Sequence, residues 1–160
     1  MKSSFEHVIP APVDKVIAAH GSEEYYVEKQ KNFGALTVDV EKWETGSDGV
    51  VTTKAKVTEP SKLPSFIRKG DVDEYVEEAV LDPDAKTFSW KVTPKMSPDK
   101  FFLSGKVEFR DEGDQTRVVF NTEFTAKIPI IGKKVEKYAA GRIEEESKKQ
   151  AEFLKAWLAK

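Results

Sequence analysis

The chain has 160 residues, 39% hydrophobic and 34% charged, with 26 basic and 28 acidic side chains and a net charge of −2. This length suits one domain around one core, residues 1–160, and the net charge is too small to suggest a nucleic-acid binder, which would want a basic face. With no cysteine, disulfides and thiolate metal sites are excluded, and no apolar run reaches the roughly 18 residues of a membrane-spanning helix.

In chain order, Ser3 to Ile9 reads as a short strand stopped by Pro10 and Pro12. Pro12 then opens a helix, in whose first turn its missing N–H costs nothing, with Val13, Val16 and Ile17 as the apolar face. Gly21 and Ser22 break it. "SEEYYVEKQ" is a second short helix, capped by Ser22 with acids in its first turn.

After Phe33 the apolar period falls to two. Leu36, Val38 and Val40 share a strand face, as do Val51, Thr53, Ala55 and Val57 after the turn "TGSDG". "EPSKLPSFIRKGD" reads as a loop. "DVDEYVEEAVL", "TFSWKVT", "FFLSGKVEF" and "TRVVFNTEFTA" follow as strands, separated by "DPDAK", "PKMSPDK" and "RDEGDQ". Turns at such short intervals predict an antiparallel meander. A sheet with one apolar face needs a cover, and only the last segment, a helix from Lys133 to Leu158, is long enough to supply it.

On that helix Ile131, Val135, Ala139, Ile143, Phe153, Leu154 and Trp157 form one broad apolar face, bordered by Tyr138. Arg142, Glu146 and Gln150 fall inside the same arc as an i, i+4, i+8 ladder. A dry core disfavours such groups unless each finds a partner, so the middle of the helix is expected to face a wet cavity and its last turns a dry core. The alternative is that the three pair with each other or reach the surface. Gly132 and Gly141 also interrupt the helix. Gly141 is expected to ease a bend or to admit a neighbouring segment.

Two stretches carry a resemblance: the opening "FEHVIPAPVDKVIAAH", and "KIPIIGKKVEKYAAGRI" followed by "QAEFLKAWL", with "LPSFIRKG" in support. In these, and in element order over nearly the whole chain, the sequence resembles the START-like (SRPBCC, helix-grip or polyketide-cyclase-like) superfamily. Within it, the chain is similar to a bacterial START-like family of unknown function. The resemblance implies an α+β helix-grip fold, with a seven-stranded curved antiparallel sheet wrapped around a long C-terminal helix and two short helices after the first strand. It also implies an apolar cavity for lipids, sterols, polyketides or similar molecules. Fold alone does not choose among the lipid carriers, cyclases, oxygenase domains and chaperone regulators of that superfamily.

The chemistry visible in the residues is sparse. His7 and His20 are the only histidines and are read as structural, His20 at a favourable helix C-terminus. No iron-binding C-x-H signature is present, no metal site is expected, and no catalytic residue or cofactor is assigned. Seven acids between Asp71 and Asp84 read mainly as a solvated strand face opposite lysines such as Lys91 and Lys106. Alternation sets Glu74 and Glu78 on one face and Glu77 with Tyr75 on the other, so at least one acid is expected to look inward.

The expected cavity residues are Arg142, Glu146, Gln150, Tyr138, Tyr75, Glu77, Phe88 and Trp90. The expected mouth is Leu63, Phe66 and Ile67 on one loop with Ile128, Ile130 and Ile131 on another. Such loops suit a gate for a greasy ligand, a satellite core, or a transient contact with a membrane surface, where Arg68, Lys69, Lys133 and Lys134 would meet anionic headgroups. The leading expectation is a cytoplasmic, non-catalytic binder or carrier of a hydrophobic small molecule. The alternatives are a cyclase- or hydrolase-like enzyme using a buried carboxylate, Glu146 or Glu77, and a protein-interaction module. The opening residues lack the apolar core of a signal peptide.

Overall fold

The computed structural model describes residues 1–160. In chain order the elements are β1 (Lys2–Ile9), α1 (Val13–His20), α2 (Glu23–Asn32), β2 (Thr37–Thr45), β3 (Val51–Pro60), β4 (Val72–Asp82), β5 (Thr87–Pro94), β6 (Phe101–Glu112), β7 (Gln115–Ala126) and α3 (Gly132–Leu158).

Local chemistry accounts for the boundaries. Pro12 stands in extended conformation as the N-cap of α1. The Ser22 hydroxyl caps α2 by accepting the Tyr25 N–H at 3.2 Å. Between β6 and β7, Gly113 takes a φ of +79°, and its N–H donates to the Asp111 carboxylate at 3.0 Å.

All seven strands form one antiparallel sheet in the order β1-β7-β6-β5-β4-β3-β2. The first strand therefore pairs with the last, Phe5 standing opposite Phe120. A bulge between Val40 and Lys42 shifts the phase of β2 and turns Trp43 inward, where its indole N–H donates to the Gly21 carbonyl at 3.1 Å. Leu36, expected on the inner face with Val38 and Val40, precedes β2 and is 58% exposed. Its N–H still donates to the Thr58 carbonyl at 2.8 Å, so the backbone joins β3 while the side chain stays in solvent.

The helix α3 lies against the concave side, and two apolar clusters hold it there. The larger gathers Ile9, Val16, Leu81, Phe109, Val118 and Leu154, with Trp157 packed against it. The smaller joins Phe124, Ala126 and Val135, with Ile67 and Ile128 alongside. At mid-helix the Ser147 hydroxyl donates to the Glu144 carbonyl at 2.8 Å and accepts from His7 Nε2 at 3.2 Å, tying α3 to β1.

The two helical glycines have different reasons. A Cβ at Gly132 would stand 2.5 Å from the Ala126 carbonyl oxygen, so the end of β7 and the start of α3 approach too closely for any side chain. Gly141 is exposed with open space around it. The expected neighbouring segment is absent there, because that side of α3 faces solvent. No helix is long and apolar enough to cross a membrane.

Candidate functional site

The two apolar clusters do not merge. Between them the curved sheet stands off the middle of α3, leaving a cavity of about 370 Å³. Phe88, Val107 and Phe120 of the larger cluster and Phe124 and Val135 of the smaller one reach its walls.

One wall is apolar. Phe88, Trp90 and Val92 alternate inward along β5, Leu103 and Val107 along β6, and Phe120 and Phe124 along β7. Trp90 has room because Gly105 stands opposite it on β6, where a Cβ would come within 2.5 Å of the indole.

The facing wall is charged. The inward phase of β3, Val51, Ala55 and Val57, continues to Glu59, which is buried at the strand end. Glu59 accepts a salt bridge from Lys62 at 3.3 Å, and the same ammonium reaches Glu146 on α3 at 3.4 Å. Lys62 thus spans from the sheet to the helix across one side of the cavity. On β4, Tyr75 and Glu77 face inward, opposite Val57 and Ala55 of β3. From α2 come Lys29 and Gln30; Lys29 is buried with its ammonium 5.7 and 5.6 Å from the ring centres of Tyr25 and Tyr26.

Burial dominates the electrostatics of this wall. It pushes the Glu77 carboxyl above the usual carboxylate range, with the nearby Lys29 charge opposing, and it lowers Lys29, which Glu77 partly offsets. Glu59 is likewise raised by burial against the pull of Lys62. The Tyr75 phenol is raised by burial and by the surrounding carboxylates. The Tyr26 hydroxyl is buried beside Gln30 and Glu77 but meets hydrogen-bond geometry with neither. At the boundary between cavity and larger cluster, His20 donates from Nδ1 to the Val16 carbonyl at 3.0 Å, and burial lowers its pKa to about 4.

The structure brings Arg142, Glu146, Gln150, Tyr138, Tyr75, Glu77, Phe88 and Trp90 to this one cavity. Glu146 pairs with Lys62 rather than with Arg142, which makes no ion pair or side-chain hydrogen bond. Of the residues expected at the mouth, Leu63 and Ile67 line it. Phe66, Ile128, Ile130 and Ile131 do not: Phe66 and Ile130 point outward, and Ile128 packs on the smaller cluster. On the outer face Glu78 lies in register between Lys54 and Lys91. Lys106 is one strand further, opposite Ser89, and not beside the acids of β4.

Lys29, Gln30, Glu59, Lys62 and His20 are cavity residues that the sequence reading missed. For two the signal was present. Lys29 follows Tyr25 by four residues and Tyr26 by three, on the same helix face, and Glu59 continues the period of Val57. Lys62 sits in a loop, where no period points anywhere. No cluster of three or more histidines or acids is placed to hold a metal ion.

Comparison with known proteins bears on fold and family. Residues 4–158 match the family described as protein of unknown function (DUF2505). No curated protein matches the chain. The structure is similar to the Zhui aromatase/cyclase from Streptomyces sp. R1128, at a TM-score of 0.73 and 12% identity over 99% of this chain and 93% of that one. It is similar to a START superfamily protein from Mycobacterium smegmatis, at 0.65 and 14% over 99% and 97%. It is also similar to norcoclaurine synthase from Thalictrum flavum, solved in complex with dopamine and hydroxybenzaldehyde, at 0.64 and 19% over 99% and 86%. The fold is the START-like helix grip.

Proposed function

The chain belongs to the family described as protein of unknown function (DUF2505), and we propose that it binds a hydrophobic small molecule, without transforming it, between the sheet and α3. The observation that carries this reading is a cavity of about 370 Å³ with an apolar wall facing a charged one. Its volume lies in the range of about 300–1,000 Å³ common to small-molecule sites. A lipid-, sterol- or polyketide-like body would lie against Phe88, Trp90 and Leu103. Removing that body from water is worth about 25 cal/mol per Å² before the costs of binding.

The ligand's polar end would meet the ladder and Tyr75. Arg142 has no acceptor of its own, so an oxygen on the ligand would supply one. Proteins of this fold include an aromatase/cyclase and a synthase solved with two aromatic molecules, which is consistent with occupancy of this space.

The test is titration with a fluorescent apolar probe, alongside native mass spectrometry of the purified protein. Ala139 borders the cavity. Ala139→Trp should fill the space and abolish probe binding while the fold is retained. Absence of both co-purified ligand and probe binding in the unsubstituted protein would defeat the reading.

A further inference from the structure

Three loops meet at the end of the molecule where the cavity opens: residues 61–71, 95–100 and 127–134. They are held together by Lys127 N–H donating to the Lys100 carbonyl at 2.7 Å, and by the Lys134 ammonium 4.6 Å from the ring centre of Phe66. Between them they hold eight basic residues against two acids, a net of +6 in a chain whose overall charge is −2. Lys62 and Lys95 are in ion pairs. Arg68, Lys69, Lys100, Lys127, Lys133 and Lys134 are in none.

The same end collects apolar side chains that neither apolar cluster buries. Six of the eight large exposed ones lie here: Phe66, Val72, Met96, Phe102, Ile130 and Tyr138. Ile130 is the extreme case. It is fully exposed, at 102%, and its φ is +72°. A β-branched residue is disfavoured in that left-handed region, where glycine or asparagine would sit without strain. The interior gains no burial from it and the backbone is strained by it, so its side chain has a use only outside the protein. Lys127 and Lys134 stand over the rings of Phe102 and Phe66, a mixture of aromatic and cationic groups suited to the boundary between hydrocarbon and headgroups.

We propose that this end docks on an anionic bilayer surface, with Ile130 and Phe66 entering the apolar boundary and the six unpaired cations meeting lipid phosphates. Charge complementarity selects this partner: a positive collar around projecting apolar side chains matches a negative headgroup layer over hydrocarbon. Met96, Tyr138 and Ile67 border both this surface and the cavity, so the docked protein presents its opening to the membrane. The proposal stands on the surface alone and does not require the cavity to be occupied.

The experiment is co-sedimentation of the whole protein with phosphatidylcholine vesicles, with and without phosphatidylglycerol. Binding is expected only with the anionic lipid, and should weaken as salt is raised. Ile130→Asp, and separately the pair Lys133→Glu and Lys134→Glu, should each lower binding by about tenfold or more. Reversing Lys148 and Lys149, exposed further along α3, should leave it unchanged. All substituted side chains are exposed, and an unshifted melting curve establishes that each variant folds. No binding to anionic vesicles, equal binding to neutral ones, or equal loss on reversing Lys148 and Lys149 would each overturn the assignment. Probe binding in the cavity is measured on the same samples, so failure of docking and failure of the cavity reading are told apart.

Discussion

The two halves of α3 pack against one sheet and meet different physics. From Ala151 onward the helix is in dry contact: Ala151 and Leu154 are each 1% exposed, and Phe153 and Trp157 meet Tyr25 at tilted and edge-on angles. Before that, Arg142, Glu146 and Gln150 face an open volume, although the same helical period carries them inward. Inward on a helix therefore does not mean dry. The sheet decides, by closing on the last turns and standing away from the middle.

Five measurements test this contrast. Leu154→Ala should cost the most, about 2–5 kcal/mol in urea denaturation, because a fully enclosed side chain leaves a void that cannot collapse. A loss under 1 kcal/mol would mean that the last turns are not dry.

His20, at the boundary, gives a pH signature. Its folded pKa of about 4 lies below the ordinary 6.5, so between those values the unfolded chain binds the proton first. Stability from this group is complete above pH 6.5 and is lost as pH falls through about 4, by up to about 3 kcal/mol. The raised carboxyl of Glu77 acts in the opposite sense, its contribution fading as pH rises through its elevated value. Comparing wild type with His20→Phe across this range isolates the imidazole, and the variant should show the flatter acid limb.

Gly132→Ala should cost about 2 kcal/mol, since the methyl group meets a carbonyl oxygen that belongs to the sheet. Gly141→Ala, on the same helix but in open space, should instead add about 1 kcal/mol. The sign difference is readable from two melting curves. Smallest in stability is Gln150→Leu, expected within about 0.5 kcal/mol of wild type because the side chain faces the cavity and not packed neighbours. It should strengthen binding of an apolar probe.

Most of the architecture was legible from local signals. Period two between Gly and Pro turns marks every strand from β2 to β7, and Pro12 and Ser22 mark the starts of the two short helices. The ladder was legible as a conflict between helical phase and polarity. What stayed hidden depends on contacts distant in sequence. That Glu146 finds Lys62, 84 residues away, needs the path of a loop that no periodicity describes. The requirement for glycine at 132 depends on the carbonyl of Ala126, and the outward aim of Ile130 on a backbone angle, +72°, that its residue type disfavours.

The pairing of β1 with β7 has a temporal consequence. Lys2 lies opposite Glu123 and Ile9 opposite Thr116, so during synthesis β1 meets its sheet partner only after about 100 further residues have been made. Until then the incomplete sheet exposes the backbone edge of β1 and, on its neighbours, the apolar side chains that α3 will cover. Vectorial synthesis therefore cannot complete the domain piece by piece. Closure is a late, long-range event, and topologies dominated by such contacts fold on roughly the millisecond-to-second scale.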